Sequence, residues 1–166
     1  LIHRRHILSN LIQHNLLADG YVSYQCTEGI LSIDPIIEEQ LPIILDHNTV
    51  ASRLPRHIPT NSYLNIVGET QFTNVPFSFS NCFVTEKTFC SIANNQMFII
   101  VGQPHSLELL RSLGYQTFNG IINETYDTIY NDQLRLELVS KEIVRFINRP
   151  IKEISNDYAR AADIIK

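Results

Sequence analysis

The sequence predicts an α/β chain: a doubly wound parallel sheet with flanking helices. Three observations carry that prediction. Met97-Phe-Ile-Ile-Val101 is an uninterrupted apolar run of strand length, as expected of a parallel strand covered on both faces. Stretches with helical apolar spacing alternate with short stretches rich in β-formers. Gly20, Gly114 and Pro150 stand where helices should stop.

Taken in order, residues 3–17 place apolar side chains at 7, 8, 11, 12, 16 and 17, the spacing of an amphipathic helix, with Asp19-Gly20 as its stop. Tyr21–Gln25 reads as a short strand. Residues 27–62 are least regular. Pro35 opens a helix through Ile36, Ile37, Leu41 and Ile44 that Pro42 interrupts, and Asp46–Ser62 reads as loop. Tyr63–Gly68 is the next strand, with Glu69 and Thr70 at its carboxyl end. After a loop bearing Pro76, Thr85 caps a helix from Glu86 to Asn95, with the Glu86 carboxylate in the first turn, where the dipole favours negative charge. The apolar strand 97–101 follows, then Gly102. Pro104 starts a helix through Leu107, Leu110 and Leu113, and Tyr115–Phe118 is a last strand. Asp132 caps a long helix that Pro150 ends, and an amphipathic helix over 151–165 finishes the chain.

At 166 residues with 44% apolar and 18% charged side chains, the chain suits a single domain spanning 1–166 with an ordinary core. Thirteen Lys and Arg against seventeen Asp and Glu leave a net charge of −4, which argues against bulk attraction to nucleic acid or an anionic membrane. Cys26, Cys82 and Cys90 are odd in number and lack metal-ligand spacing, so free thiols in a reducing, cytoplasmic compartment are expected. No apolar run approaches the ~20 residues of a membrane span. Leu1 opens directly into a helical pattern, which reads as a piece of a longer protein.

Ligands of doubly wound sheets bind beyond the carboxyl ends of the strands. Glu69, Thr85, Glu86, Lys87 and Gly102 converge on that edge in the predicted topology. Thr-Glu-Lys alone is a weak motif, since any soluble helix can begin that way. At this edge, the free amides of the helix start attract a diphosphate, Glu86 suits two ribose hydroxyls, and Lys87 offers a point charge to phosphate. Arg4 and Arg5 open the first helix, where the dipole repels cations. Arg4 is the candidate phosphate ligand, and Arg5 reads as a frayed end. His3 and His6 lack an acidic or cysteine partner, so no metal site is assigned. Glu124 and Asp127 fit turn and helix-cap roles better than an acid–base pair. His105-Ser106 lies in no Gly-x-Ser-x-Gly elbow, which leaves nucleophilic catalysis with little support.

Three segments carry a family likeness: Phe83-Val-Thr-Glu-Lys-Thr-Phe89, Met97-Phe-Ile-Ile-Val-Gly102 and Ser106-Leu-Glu-Leu-Leu-Arg-Ser-Leu-Gly-Tyr-Gln-Thr-Phe118. In this order they resemble the donor-binding, C-terminal lobe of GT-B glycosyltransferases of exostosin-like and fucosyltransferase-like type. Asn123-Glu-Thr-Tyr-Asp127, Val67-Gly-Glu-Thr70 and His3-Arg4 are similar to further segments of that lobe. The likeness covers most of 1–145 and is weakest over 27–62. It implies a Rossmann-like domain that binds a nucleotide diphosphate sugar for transfer to an unknown acceptor, a glycan or another molecule. Glu86 would meet the ribose, Lys87 and Arg4 the diphosphate, Phe83 the nucleotide, and Glu69 would line the cleft. Met97 and Asn123 depart from the family pattern, the first where proline is usual and the second where an acid is.

The resemblance further implies a missing N-terminal acceptor lobe, which normally brings the general base, so no catalytic residue is assigned. It implies no metal and no cofactor beyond the donor substrate. Two other readings stand beside it: a non-catalytic interaction or scaffold module that keeps the lobe fold, and a domain binding another phosphorylated ligand. The last has no glycine-rich loop to recommend it.

Overall fold

A computed structural model describes residues 2–23, 57–74 and 82–164. The apolar run forms a strand, Met97–Val101 (β2), with all five residues buried. It pairs in parallel with Leu64–Gly68 (β1), in a register running from Leu64 opposite Met97 to Gly68 opposite Val101. The described helices are Ile2–Gln13 (α1), His57–Thr60 (α2), Glu86–Ala93 (α3), Ser106–Ser112 (α4), Asp132–Ile147 (α5) and Ile151–Ala161 (α6). Single 3-10 turns occur at Leu17–Asp19 and Glu124–Thr128. Helix α3 falls between the two strands in sequence and packs on both, and α5 packs on β2 and on α1. The result is a mixed α/β architecture: a small two-stranded parallel sheet with flanking helices. None of the described helices is long and apolar enough to cross a membrane.

The core centres on β2. Met97, Ile99 and Leu110 are wholly shielded from solvent, and Phe98 meets Phe118 edge-on at 4.9 Å. Burying each such side chain contributes about 1.5–3 kcal/mol. Among the described residues β1 is less covered, with only Val67 fully buried.

Three helices stop in the same way. Asn15, Asn95 and Gly114 take left-handed backbone angles, with φ of 56°, 53° and 92°. The amide one residue further on then reaches back to a carbonyl of the last helical turn. These bonds are Leu16 N to Leu11 O at 2.8 Å, Gln96 N to Ser91 O at 3.0 Å and Tyr115 N to Leu110 O at 3.0 Å. They satisfy carbonyls the helix leaves open. Asn15 therefore ends α1 at Gln13, earlier than Gly20, whose backbone is extended.

Other expectations are corrected. Tyr21–Ser23 is irregular, and the rest of that expected strand lies outside the described residues, as do the Pro35–Ile44 helix, Cys26 and Pro76. The expected loop over Asp46–Ser62 ends in helix α2 within its described part. Tyr115–Phe118 is not a strand, and an isolated bridge between Asn119 and Ile122 follows it. The Glu124 carboxylate takes the Phe118 amide at 2.7 Å and the Thr117 hydroxyl at 2.9 Å, which draws this segment toward a side chain in place of a ladder. Helix α4 begins at Ser106, with His105 as its N-cap, so Pro104 lies before the helix. Asn131 caps α5 through the Leu134 amide at 2.9 Å, and Asp132 is its first residue.

Candidate functional site

The carboxyl ends of β1 and β2 bring Glu69 and Gly102 together, with Glu69 N donating to Val101 O at 3.0 Å. Glu69 is completely buried and does not line a cleft. Its carboxylate accepts from Thr85 N at 3.1 Å, Thr85 Oγ1 at 2.6 Å, Thr88 Oγ1 at 2.7 Å and Thr70 N at 3.3 Å. Four donors around an acceptor-only group make it the anchor of the first turn of α3. Charge-assisted bonds of this kind are stronger than neutral ones.

With Glu69 fixing its hydroxyl, Thr85 caps α3 as its sequence position predicts. Its backbone is extended, and Oγ1 accepts from Lys87 N at 3.4 Å. A cap of this type is worth about 1 kcal/mol. Lys87 Nζ lies 3.1 Å from Thr85 Oγ1, 3.3 Å from Thr70 Oγ1 and 3.3 Å from Glu86 Oε1. Glu86 projects into solvent. A hydrogen bond from its own backbone amide, and then Lys87, hold its carboxyl below the ordinary glutamate value. Phe83 is half-exposed, and its amide donates to Gln103 Oε1 at 2.9 Å.

Arg4 joins from α1, its Nη2 donating to the Glu69 carbonyl at 3.2 Å. Its buried Nε has no hydrogen-bond acceptor among the described residues. The side chain runs over Gly68, where an added Cβ would come within 3.1 Å of Arg4 Cγ. Gly102 is likewise tight: a Cβ there would stand 3.1 Å from Ile100 Cγ2 and 3.2 Å from Ser106 Oγ.

Two residues that sequence reasoning missed hold this edge together. Arg135, on α5, is 1% exposed. It donates to Gly102 O at 3.1 Å, Ile129 O at 2.7 Å, Asp132 Oδ1 at 2.7 Å and the Phe72 carbonyl, and its guanidinium lies 4.4 Å from the centre of the Phe72 ring. The available signal is its place four residues before Val139, on the buried stripe continued by Ile143 and Phe146. Gln103 is the second. It binds Phe83 N and reaches Thr73 O at 3.3 Å, joining the loops after both strands.

His3 is structural. Its ring stacks on Phe72 at 4.9 Å, and Nε2 donates to the Glu69 carbonyl at 2.8 Å. Burial lowers its pKa, with Arg4 and Arg135 adding repulsion, against the opposing effect of the bond to Glu69. The folded state therefore binds this proton less readily than the unfolded chain. Stability from this group is present above the ordinary histidine pKa of about 6.5 and is lost as pH falls below it. Urea midpoints measured across this range should fall with acidity in the wild type. The fall should be shallower in His3→Gln, and an equally steep fall would refute the assignment.

Asp127 caps α4, accepting from Leu107 N at 2.9 Å and Glu108 N at 3.1 Å, as the helix-cap reading expects. Glu124 is held by Phe118 N, Thr117 and Arg111, the last at 3.1 Å. Burial raises both carboxyls, but their oxygens are committed to these bonds. Among the described residues no group of three or more His, Cys, Asp or Glu is placed to hold a metal.

The class that fold and site define is a mixed α/β chain with a polar, partly cationic cluster at the carboxyl edge of a parallel pair. No protein-family model, curated protein or solved structure matches it.

Proposed function

We propose that this chain is the donor-binding lobe of a glycosyltransferase, a doubly wound, Rossmann-like domain that binds a nucleotide diphosphate sugar. One observation carries the reading. Lys87 and Arg4 are both tethered to the Glu69–Thr70 segment at the carboxyl end of β1, beside the capped start of α3, and a buried Arg4 nitrogen lacks an acceptor among the described residues. A diphosphate supplies acceptors for such cations, and the amides of a helix start favour the same charge. The ordered likeness of residues 83–118 to GT-B donor lobes supports the same assignment. In this reading Glu86, exposed one residue before Lys87, accepts ribose hydroxyls, and Phe83 offers a half-exposed ring to the nucleotide. Lys87 and Arg4 stabilise charge on the leaving diphosphate. Glu69 acts through Thr85 as a positioning residue.

Titration calorimetry of the full chain with UDP, GDP, CDP and dTDP tests the proposal. One nucleotide should bind, and Lys87→Ala should weaken it by ~10–100-fold, the worth of a hydrogen bond to a charged group. Glu86→Ala should weaken it too, and neither substitution should unfold the protein, since both side chains reach the surface. A folded wild type that binds none of the four overturns the reading and leaves the interaction or scaffold module in its place.

A further inference from the structure

A concavity lies at the end of the parallel pair opposite Glu69 and Lys87. Its volume is about 670 Å³, within the range of small-ligand sites. One rim is Pro59–Ser62, leading into β1, and the other is Asn94 and Asn95, leading into β2, with Tyr63 and Tyr158 completing the lining. This is the amino edge of the strands, whereas Lys87 and Glu69 stand at the carboxyl edge.

The described lining contains no acidic or basic side chain. It therefore has no cation to select a phosphate or carboxylate and no carboxylate to select an amine. What it offers is carboxamides, hydroxyls and aromatic rings. The Asn61 and Asn95 carboxamides are exposed, and neither is engaged by another described residue. Asn94 spends its Nδ2 on Cys90 O at 2.7 Å, leaving its oxygen as an acceptor. A carboxamide both donates and accepts, which matches a vicinal diol, each hydroxyl of which does the same. The tyrosine rings, 5.3 Å apart and edge to face, give flat apolar surface for the C–H face of a pyranose.

The frame is held in place before any ligand arrives. Tyr158 Oη donates to Asn95 O at 2.8 Å, fixing the turn, and Gln96 Nε2 donates to Ser62 Oγ at 2.7 Å, tying the two rims together. Preorganisation of this kind lowers the ordering cost of binding. We propose that this groove binds a neutral saccharide, independently of the nucleotide site.

The test is a series of ¹H–¹⁵N spectra of the full chain titrated with glucose, galactose, N-acetylglucosamine and cellobiose. At least one sugar should shift the amides of Asn61, Ser62 and Asn95. Asn61→Ala and Asn95→Gly should each weaken that sugar by ~10-fold, the worth of one hydrogen bond. Glycine at 95 keeps the left-handed backbone while deleting the carboxamide, so the fold is retained. Lys87→Ala should leave the sugar's affinity unchanged, which separates this proposal from the nucleotide reading. Absence of shifts for all four sugars would overturn it, as would unaltered affinity in both folded variants.

Discussion

Arg135→Met is expected to destabilise the fold by about 3–5 kcal/mol, chiefly because buried backbone carbonyls lose their donor. Methionine replaces much of the arginine stem but none of its donors. The carbonyls of Phe72, Gly102 and Ile129 then lose their guanidinium partner, each at a cost of about 1–3 kcal/mol before relaxation. The contact with the Phe72 ring is lost as well. Urea unfolding should show a large fall in midpoint with little change in slope. A loss below ~1 kcal/mol would mean that water replaces the guanidinium and that the carbonyls are not sealed. Arg135→Lys should recover only part of the stability, because one ammonium cannot span acceptors arranged around a planar fork.

Glu69 gives the second large effect. Glu69→Ala removes the acceptor from two hydroxyls and the Thr85 amide, and about 2–4 kcal/mol of stability should go with it. Glu69→Gln is the sharper probe. The hydroxyls of Thr85 and Thr88 can rotate to accept from a carboxamide. The backbone amides cannot: Thr85 N faces one carboxylate oxygen and Thr70 N faces the other. Whichever way the carboxamide is set, its NH₂ confronts an N–H, so a loss of about 1–3 kcal/mol remains. Under the donor-lobe proposal nucleotide affinity should fall in parallel, because Lys87 loses the cap that positions it. Lys87→Ala should lower affinity with little change in stability. Unperturbed stability in Glu69→Ala would remove Glu69 from the positioning role.

The parts of the fold legible in sequence are those specified by local pattern. The run Met97–Val101 declared a strand covered on both faces because none of its residues tolerates water, and Thr85 declared a cap because its hydroxyl serves the next turn. The helices were found for similar reasons, yet two ends were misplaced. Asn15 supplies the left-handed stop expected of Gly20, and Asn95, read as the last helical residue, is itself such a stop; asparagine is only occasionally used that way. Tyr115–Phe118 has strand composition but answers to the Glu124 carboxylate, an interaction no period encodes.

The candidate site divides in the same manner. Its grouping at the carboxyl edge was visible from topology, since Glu69, Thr85 and Gly102 each sit at an element's end. Burial was not visible. Glu69 reads as a cleft residue from its position alone, and only the threonines packed around it show why it is sealed. Arg135 was hidden for the opposite reason: an arginine on a helix stripe reads as solvated until distant carbonyls are seen to meet it.

That arrangement also bears on the order of events in folding. Arg135 takes acceptors 33 and 63 residues back in the chain, at Gly102 and Phe72. Neither carbonyl is in place until β1 and β2 have paired and the segment after β1 has closed over their ends. The guanidinium is therefore expected to complete its bonds late in folding. Interactions absent from the transition state govern how fast a protein comes apart and leave its rate of formation untouched. On that expectation Arg135 is a latch on persistence: Arg135→Met should speed unfolding in chevron kinetics with refolding unchanged, and a slowed refolding limb would refute it.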